Sequence, residues 1–152
     1  MTPRPSMRLE KHPEPIPILY VDDDSSEAQL LALALGEAVV NPVIHFDQAS
    51  DLYDHLDMHE GPFIILVDLV LFDQGPGNVG GGYEILERLR KRPDINDSRS
   101  PILAVTGTNP DPTLIERVRE TGADAFIHKP ISAGDLSQAI GRPGWFRVEF
   151  SR

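Results

Sequence analysis

The sequence contains no cysteine, which excludes disulfide bonds, thiolate metal sites and a cysteine nucleophile. Positive charge is scarce: 14 lysine and arginine residues face 24 acidic residues, which leaves a net charge of −10. Nucleic acids and anionic membranes are bound by basic surfaces, so neither is an expected partner. No apolar run approaches the roughly 18 residues of a membrane-spanning helix, and the N-terminus lacks the apolar stretch of a signal peptide. We therefore expect a cytoplasmic protein.

The composition is that of an ordinary globular domain, with 40% hydrophobic and 25% charged residues in a chain of 152. A chain of this length can bury roughly 68–70% of its unfolded surface, so one domain with its own core is expected. Five prolines lie within the first 17 residues, which predicts an extended arm over residues 1–15. The domain itself is expected over residues 16–140, followed by an extension over residues 141–152.

Apolar runs and helical patterns alternate between residues 16 and 140. Five runs have the length and apolar content of strands, at residues 16–21, 43–46, 63–67, 102–105 and 125–128. Five helical patterns follow them: one after a capping box at Ser26 and Gln29, and others at residues 50–58, 83–91, 112–121 and 132–140. Because right-handed crossovers place helices on both faces of a parallel sheet, the alternation predicts an α/β fold with five strands and five helices.

Polar side chains follow four of the predicted strands. Asp22, Asp23 and Asp24 come after the first, Asp68 after the third, Thr106 after the fourth and Lys129 after the fifth. In open α/β sheets, ligands bind beyond the carboxyl ends of the strands, so these side chains are expected at one edge. Two carboxylates about 4 Å apart repel by about 4 kcal/mol at an effective dielectric near 20. A hard divalent cation with oxygen ligands relieves this repulsion, which predicts Mg²⁺.

Four motifs in this order resemble the receiver domain of two-component response regulators, of the single-domain type. They are ILYVDDD (Ile18–Asp24), IILVDL (Ile64–Leu69), PILAVTG (Pro101–Gly107) and GADAFIHKP (Gly122–Pro130). The resemblance implies a flavodoxin-like sheet with strand order 2-1-3-4-5. It also implies a phosphorylation-controlled signalling module rather than an enzyme, which accepts a phosphoryl group from a histidine kinase or histidine phosphotransfer protein. Slow self-dephosphorylation would be its only catalysis.

The resemblance also implies a role for each site residue. Asp68 would be the phosphoacceptor, and Thr106 and Lys129 would bind the phosphoryl oxygens. Mg²⁺ would be held by Asp22, Asp23, Asp68 and the main-chain carbonyl of Val70. The Lys129–Pro130 peptide bond is expected to be cis. Thr106 and Phe126 would form the switch, in which the hydroxyl moves toward the phosphate and the ring turns inward.

Two other functions remain open. A receiver that is never phosphorylated would serve as a scaffold. The presence of Asp68, Thr106 and Lys129 argues against this function. A Mg²⁺-dependent phosphatase of the haloacid dehalogenase type would use Asp22 as its nucleophile within the run Asp22–Ser25. That hypothesis leaves Asp68 without a role and lacks an acidic pair after Lys129. Asp24 is expected only to cap the first helix.

Two segments depart from the family pattern. Residues 71–82 are expected to form a loop that is longer and richer in glycine than the usual segment after the phosphoacceptor, and this loop either gates access to Asp68 or is a tolerated insertion. Residues 145–150 alternate like a strand, so they either pack on their own domain or form an arm that pairs with a second subunit. With no output domain expected after residue 140, the chain would signal by docking on an unknown downstream protein, by phosphorelay or by forming a homodimer.

Overall fold

The computed structural model describes residues 16–38, 41–69, 81–98, 100–106 and 112–140, which form five strands and six helices. The five strands are β1 (Ile18–Val21), β2 (Val43–Phe46), β3 (Ile64–Asp68), β4 (Ile102–Thr106) and β5 (Ala125–His128). The six helices are α1 (Ser25–Ala38), α2 (Ala49–Met58), α3 (Gly81–Arg90), α4 (Pro93–Ser98), α5 (Pro112–Glu120) and α6 (Ala133–Ile140). None of these helices is both long and apolar enough to cross a membrane.

The strands form one parallel sheet in the order β2-β1-β3-β4-β5, which confirms the predicted fold. β3 lies at the centre, and all five of its residues are buried. A continuous apolar run is what a parallel strand covered on both faces requires. In β1, side chains alternate between the two faces: Ile18 and Tyr20 contact one core, and Leu19 and Val21 contact the other.

The two cores are built by different helices. The first core lies under α1 and α6, whose buried side chains are Ala28, Leu31, Leu35, Leu136 and Ile140. The second lies under α2, α3 and α5, through Leu52, Leu56, Ile85, Leu86, Leu89 and Val118. The sheet therefore lies between two helical layers, and each of its faces packs against one of them.

Several boundaries differ from the predicted ones. The short helix α4 was not predicted; it begins with Pro93, whose fixed φ favours the first position of a helix. The cap of α1 is Asp24 rather than Ser26, because its carboxylate accepts hydrogen bonds from the main-chain N–H groups of Ser26 at 2.9 Å and Glu27 at 3.2 Å. The capping-box prediction is therefore wrong, and the capping role predicted for Asp24 is confirmed.

The glycine-rich segment is partly helical. Gly81 and Gly82 were predicted to lie in a loop, but they form the first two residues of α3. The predicted N-terminal arm, the rest of that segment up to residue 80 and the predicted strand at residues 145–150 lie outside the described residues.

An aromatic cluster joins α2 to the sheet. The ring of His55 lies edge-on to Phe46 and Phe63, with ring centroids 5.3 and 6.0 Å away, and it stacks on His59 at 4.1 Å. Burial lowers the pKa of His55, and the charge of His59 lowers it further. The folded protein therefore favours the neutral imidazole at this position.

This shift predicts a dependence of stability on pH. Because the pKa of His55 is lower when folded, the unfolded chain binds more protons, so the free energy of unfolding should fall as pH drops below about 6.5. Well above that pH, His55 is neutral in both the folded and the unfolded state, so it no longer makes the free energy of unfolding depend on pH. Urea unfolding of the parent and His55→Gln between pH 7.5 and 5.5 measures the effect: the variant should lose part of the slope. His128→Gln, at the exposed end of β5, should keep it; equal slopes for the parent and His55→Gln would contradict the prediction.

Candidate functional site

The sheet brings the predicted site residues to one edge. Asp22 directly follows β1, and Asp68 and Thr106 are the last residues of β3 and β4. The register pairs Val21 with Val67 and Asp68 with Val105, so the three strands end side by side. The main-chain N–H of Lys129 donates a 2.8 Å hydrogen bond to the carbonyl of Thr106, which ties the end of β5 to the same edge.

The ammonium group of Lys129 is the centre of the site. Its Nζ lies 2.7 Å from Oδ2 of Asp68 and 3.6 Å from Oδ2 of Asp22, and it also contacts a carboxylate oxygen of Glu27. The side chains of Asp22 and Asp68 are only 1% and 2% exposed. A buried carboxylate is stable only with a partner, and Lys129 supplies it for both aspartates. The Lys129–Pro130 peptide bond is cis, as expected.

The surroundings of Lys129 keep it protonated. Burial by itself would lower the pKa of this ammonium group. Hydrogen bonds to Asp68 and Glu27, together with the charges of Asp68 and Asp22, outweigh burial and raise the pKa above its ordinary value. The group is therefore a permanent positive charge near neutral pH, available to any anion that replaces one of its partners.

Asp22 is held by groups that sequence reasoning missed. The hydroxyl of Tyr20 donates a 2.6 Å hydrogen bond to its Oδ2, and the main-chain N–H of Asp24 donates one of 2.9 Å to its Oδ1. Burial, and then the bond to Asp22, raise the pKa of the Tyr20 phenol, so it stays a donor. Nε2 of His45 lies 2.6 Å from the main-chain oxygen of Asp22. In the sequence Tyr20 has the pattern of a core residue, and the signal that could have revealed this bond is its spacing of two from Asp22, which places both side chains on one face of the extended chain.

Glu27 is the second residue that sequence reasoning missed. Carboxylate oxygens of Asp22, Glu27 and Asp68 lie within 4.8 Å of one another. In the sequence, Glu27 is simply an acid in the first turn of a helix, a position that acids favour for the helix dipole. The only signal was positional: α1 begins at the edge where β1 ends, so its first turn must border the site.

The remaining predicted site residues are placed as follows. Asp23 is partly buried beside Asp22 but is not one of the three converging carboxylates. Thr106 is 3% exposed, and the half-buried Phe126 packs against the second core. Val70 lies outside the described residues. Asp22, Asp68, Thr106 and Lys129 thus meet at the edge, together with the unpredicted Glu27.

The donor chemistry of the site limits what it can hold. The three converging side chains offer only carboxylate oxygens, which suit a hard cation rather than a soft transition metal. A buried carboxylate held against an ammonium group is also suited to receive an electrophilic phosphoryl group, because positioning and charge neutralisation are most of what that reaction needs.

Helix α3 begins directly on the backbone of Asp68. A Cβ atom at Gly82 would lie 2.7 Å from Cα of Leu69 and 3.1 Å from the carbonyl carbon of Asp68, and closer still to its carbonyl oxygen. Real Cβ atoms essentially never approach backbone this closely. Only glycine therefore allows α3 to pack in this position.

Gly82→Ala should consequently move α3 off the strand. We expect the free energy of unfolding to fall by about 1–3 kcal/mol, the usual range for overpacking. Urea unfolding measures the effect. Gly134→Ala is the matched control, since its Cβ would meet only Oγ of Ser132, at 4.0 Å. Equal losses in the two variants would contradict the role of close packing.

Comparison with known proteins matches this chain to one protein family and to a relative from rice. The response regulator receiver domain family matches residues 18–141. The two-component response regulator ORR3 of rice (Oryza sativa subsp. indica) is 24% identical over 137 residues, which cover 90% of this chain and 97% of the relative.

Solved structures agree on the fold. The chemotaxis protein CheY4 of Vibrio cholerae superposes with a TM-score of 0.67 at 20% identity, covering 84% of this chain and 98% of that one. The bacteriophytochrome response regulator AtBRR gives a TM-score of 0.69 at 24% identity, covering 92% of this chain and 100% of that one. At these identities the likeness concerns the fold alone.

Proposed function

The chain belongs to the response regulator receiver domain family of two-component signalling, and from that premise we propose that Asp68 is its phosphoacceptor. The observation that carries the proposal is the 2.7 Å contact between Oδ2 of buried Asp68 and Nζ of Lys129 at the carboxyl edge of the sheet. In this arrangement one carboxylate is both sheltered from water and held beside a fixed positive charge.

The proposed reaction is a phosphoryl transfer from a phosphohistidine. A carboxylate oxygen of Asp68 attacks the phosphorus, the P–N bond breaks, and the imidazole leaves with its electron pair. The product is an acyl phosphate, and the charge on Asp68 changes from −1 to about −2. Lys129 offsets the added charge, and the hydroxyl of Thr106 donates to a phosphoryl oxygen. Water later attacks the phosphorus, the P–O bond to Asp68 breaks, and inorganic phosphate leaves as the carboxylate is restored.

Mg²⁺ is the cation proposed for the site. The oxygen-only donors and buried carboxylates fit a hard ion, with Asp22 and Asp68 as the ligands already converging there. Asp23 and the main-chain carbonyl of Val70 complete the proposed ligand set. Bound Mg²⁺ would supply charge neutralisation for the incoming phosphoryl group. The protein residues orient that group and exclude water around it.

The response to phosphorylation is proposed to pass through Thr106 and Phe126. Thr106 is buried at the end of β4, and Phe126 pairs in register with Ala104 on the neighbouring strand. Movement of the Thr106 hydroxyl toward the phosphate would free space that the aromatic ring of Phe126 fills. Because phenylalanine has no hydroxyl to hold it outward, burial alone favours its inward position.

The partners follow from the family. Receiver domains take phosphate from histidine kinases or histidine phosphotransfer proteins, and we propose one of these as the donor. The downstream partner is another protein reached by docking or phosphorelay. The alternating pattern of residues 145–150 fits two arrangements equally, an arm that pairs with a second copy of the chain and a strand that packs on its own domain, so a homodimer is one of the two proposed alternatives.

Chemical mapping tests the assignment of the phosphoacceptor. The protein is incubated with acetyl phosphate and Mg²⁺, and borohydride then converts any aspartyl phosphate to homoserine, which mass spectrometry locates. Homoserine at position 68 supports the receiver function. Modification at Asp22 supports the phosphatase alternative, and a chain without modification supports the scaffold.

A further inference from the structure

Glu27 connects the first helix to the lysine of the site. The two residues are 102 positions apart in the chain, yet a carboxylate oxygen of Glu27 contacts Nζ of Lys129. The side chain of Glu27 is 43% exposed, whereas those of Asp22 and Asp68 are almost fully buried. Lys129 is therefore shared between two buried partners inside the site and one partner at its rim.

The charge of this cluster is unbalanced. Three carboxylates surround one ammonium group, which leaves a formal charge of −2 among these four side chains. An acyl phosphate at Asp68 adds about one more negative charge and several acceptor oxygens. Nζ of Lys129 already donates hydrogen bonds to Asp68 and Glu27 and lies 3.6 Å from Asp22, so a phosphoryl oxygen that approaches it competes with these carboxylates. Glu27 is the partner that can leave, because water can solvate its exposed carboxylate.

We propose that Glu27 is a positioning residue that holds Lys129 in the unphosphorylated protein and releases it when Asp68 is phosphorylated. This inference rests on the proposed phosphoacceptor role of Asp68. The contact stabilises the unphosphorylated state, and the carboxylate repels an incoming phosphoryl group. Both effects slow phosphoryl acceptance, so Glu27 limits the rate at which a phosphodonor can phosphorylate Asp68.

The kinetic test compares the parent with Glu27→Gln, which keeps the shape of the side chain and removes its charge. Acetyl phosphate is the probe, with Mg²⁺ in excess, and the initial rate of labelling at Asp68 is measured. We expect the variant to react about fivefold faster at low salt, the upper range for a partly exposed ion pair. The difference should shrink at 0.5 M salt, because exposed charges are screened.

A spectroscopic test reports Lys129 directly. The ammonium signal of ¹⁵N-labelled Lys129, assigned with Lys129→Arg, should shift in Glu27→Gln. In the parent, adding beryllofluoride as a mimic of the acyl phosphate should shift it as well. This second measurement uses the parent chain and stands even if the variant folds poorly. Glu84→Gln is the control, because Glu84 is an exposed acid in the first turn of α3 and its loss gives the same charge change.

The outcomes separate the two proposals. A faster Glu27→Gln with a shifted Lys129 signal, and an unchanged Glu84→Gln, supports the role of Glu27. If the parent is labelled at Asp68, but Glu27→Gln reacts at the same rate and its Lys129 signal does not shift, the role of Glu27 is contradicted. The phosphoacceptor role of Asp68 would still stand. If the parent is not labelled at Asp68, the proposed function fails, and the role of Glu27 in phosphoryl acceptance fails with it.

Discussion

Asp68→Asn should reduce labelling by acetyl phosphate to background. The amide keeps the size of the carboxylate but is a poor nucleophile, so no acyl phosphate can form at this position. The fold should persist, because asparagine can still accept a hydrogen bond from Lys129. Borohydride trapping followed by mass spectrometry measures the loss, and circular dichroism checks folding.

Asp24→Asn is the matched control for this substitution. Asp24 is an exposed acid on the same edge whose carboxylate caps α1, and asparagine is an equally good N-cap. This variant should be labelled like the parent. Full labelling of Asp68→Asn would show that another residue is the phosphoacceptor, and Asp22 would be the first candidate to test.

Lys129→Met should cause the largest loss of stability. The substitution removes the positive charge that Asp22 and Asp68 share and leaves both carboxylates buried beside each other. Removing one partner of a buried ion pair typically costs about 3–5 kcal/mol, and that range is the expected fall in the free energy of unfolding at pH 7 without divalent cations. Urea unfolding followed by circular dichroism measures it.

Millimolar Mg²⁺ should restore part of the lost stability in Lys129→Met, because it replaces the missing positive charge. Lys91→Met, at an exposed lysine after α3, controls for the loss of one charge. A deficit in the free energy of unfolding that does not change with Mg²⁺ would show that Lys129 contributes packing rather than charge.

The sequence was sufficient to predict the strands and the residues that follow them. Carboxyl ends of parallel strands necessarily share an edge, so Asp22, Asp68, Thr106 and Lys129 could be brought together without coordinates. The five strands were predicted from short apolar runs, and β1, β3 and β4 are in fact buried along their whole length. Features that depend on local sequence or on strand order can therefore be predicted from a single sequence.

Much of the rest depended on contacts between elements that are distant in the sequence. Glu27 contacts Lys129 across 102 positions, and no local pattern records that contact. The hydrogen bond from Tyr20 to Asp22 is different, because the two residues are only two positions apart and extended backbone places them on one face. Gly82 was predicted to lie in a loop, because the sequence does not show that its Cα packs against the backbone of Asp68 and Leu69. That contact is what requires glycine at this position.

The seating of α3 on the end of β3 has a mechanical consequence. Gly82 leaves no gap between the helix and the main chain of Asp68 and Leu69, so neither backbone has slack to absorb a displacement of the other. A displacement of the Asp68 carbonyl would therefore act on a ten-residue helix whose last residue, Arg90, forms an ion pair with Asp124, just before β5. Through this helix, a change at the end of the central strand would reach the segment that leads into the edge strand β5.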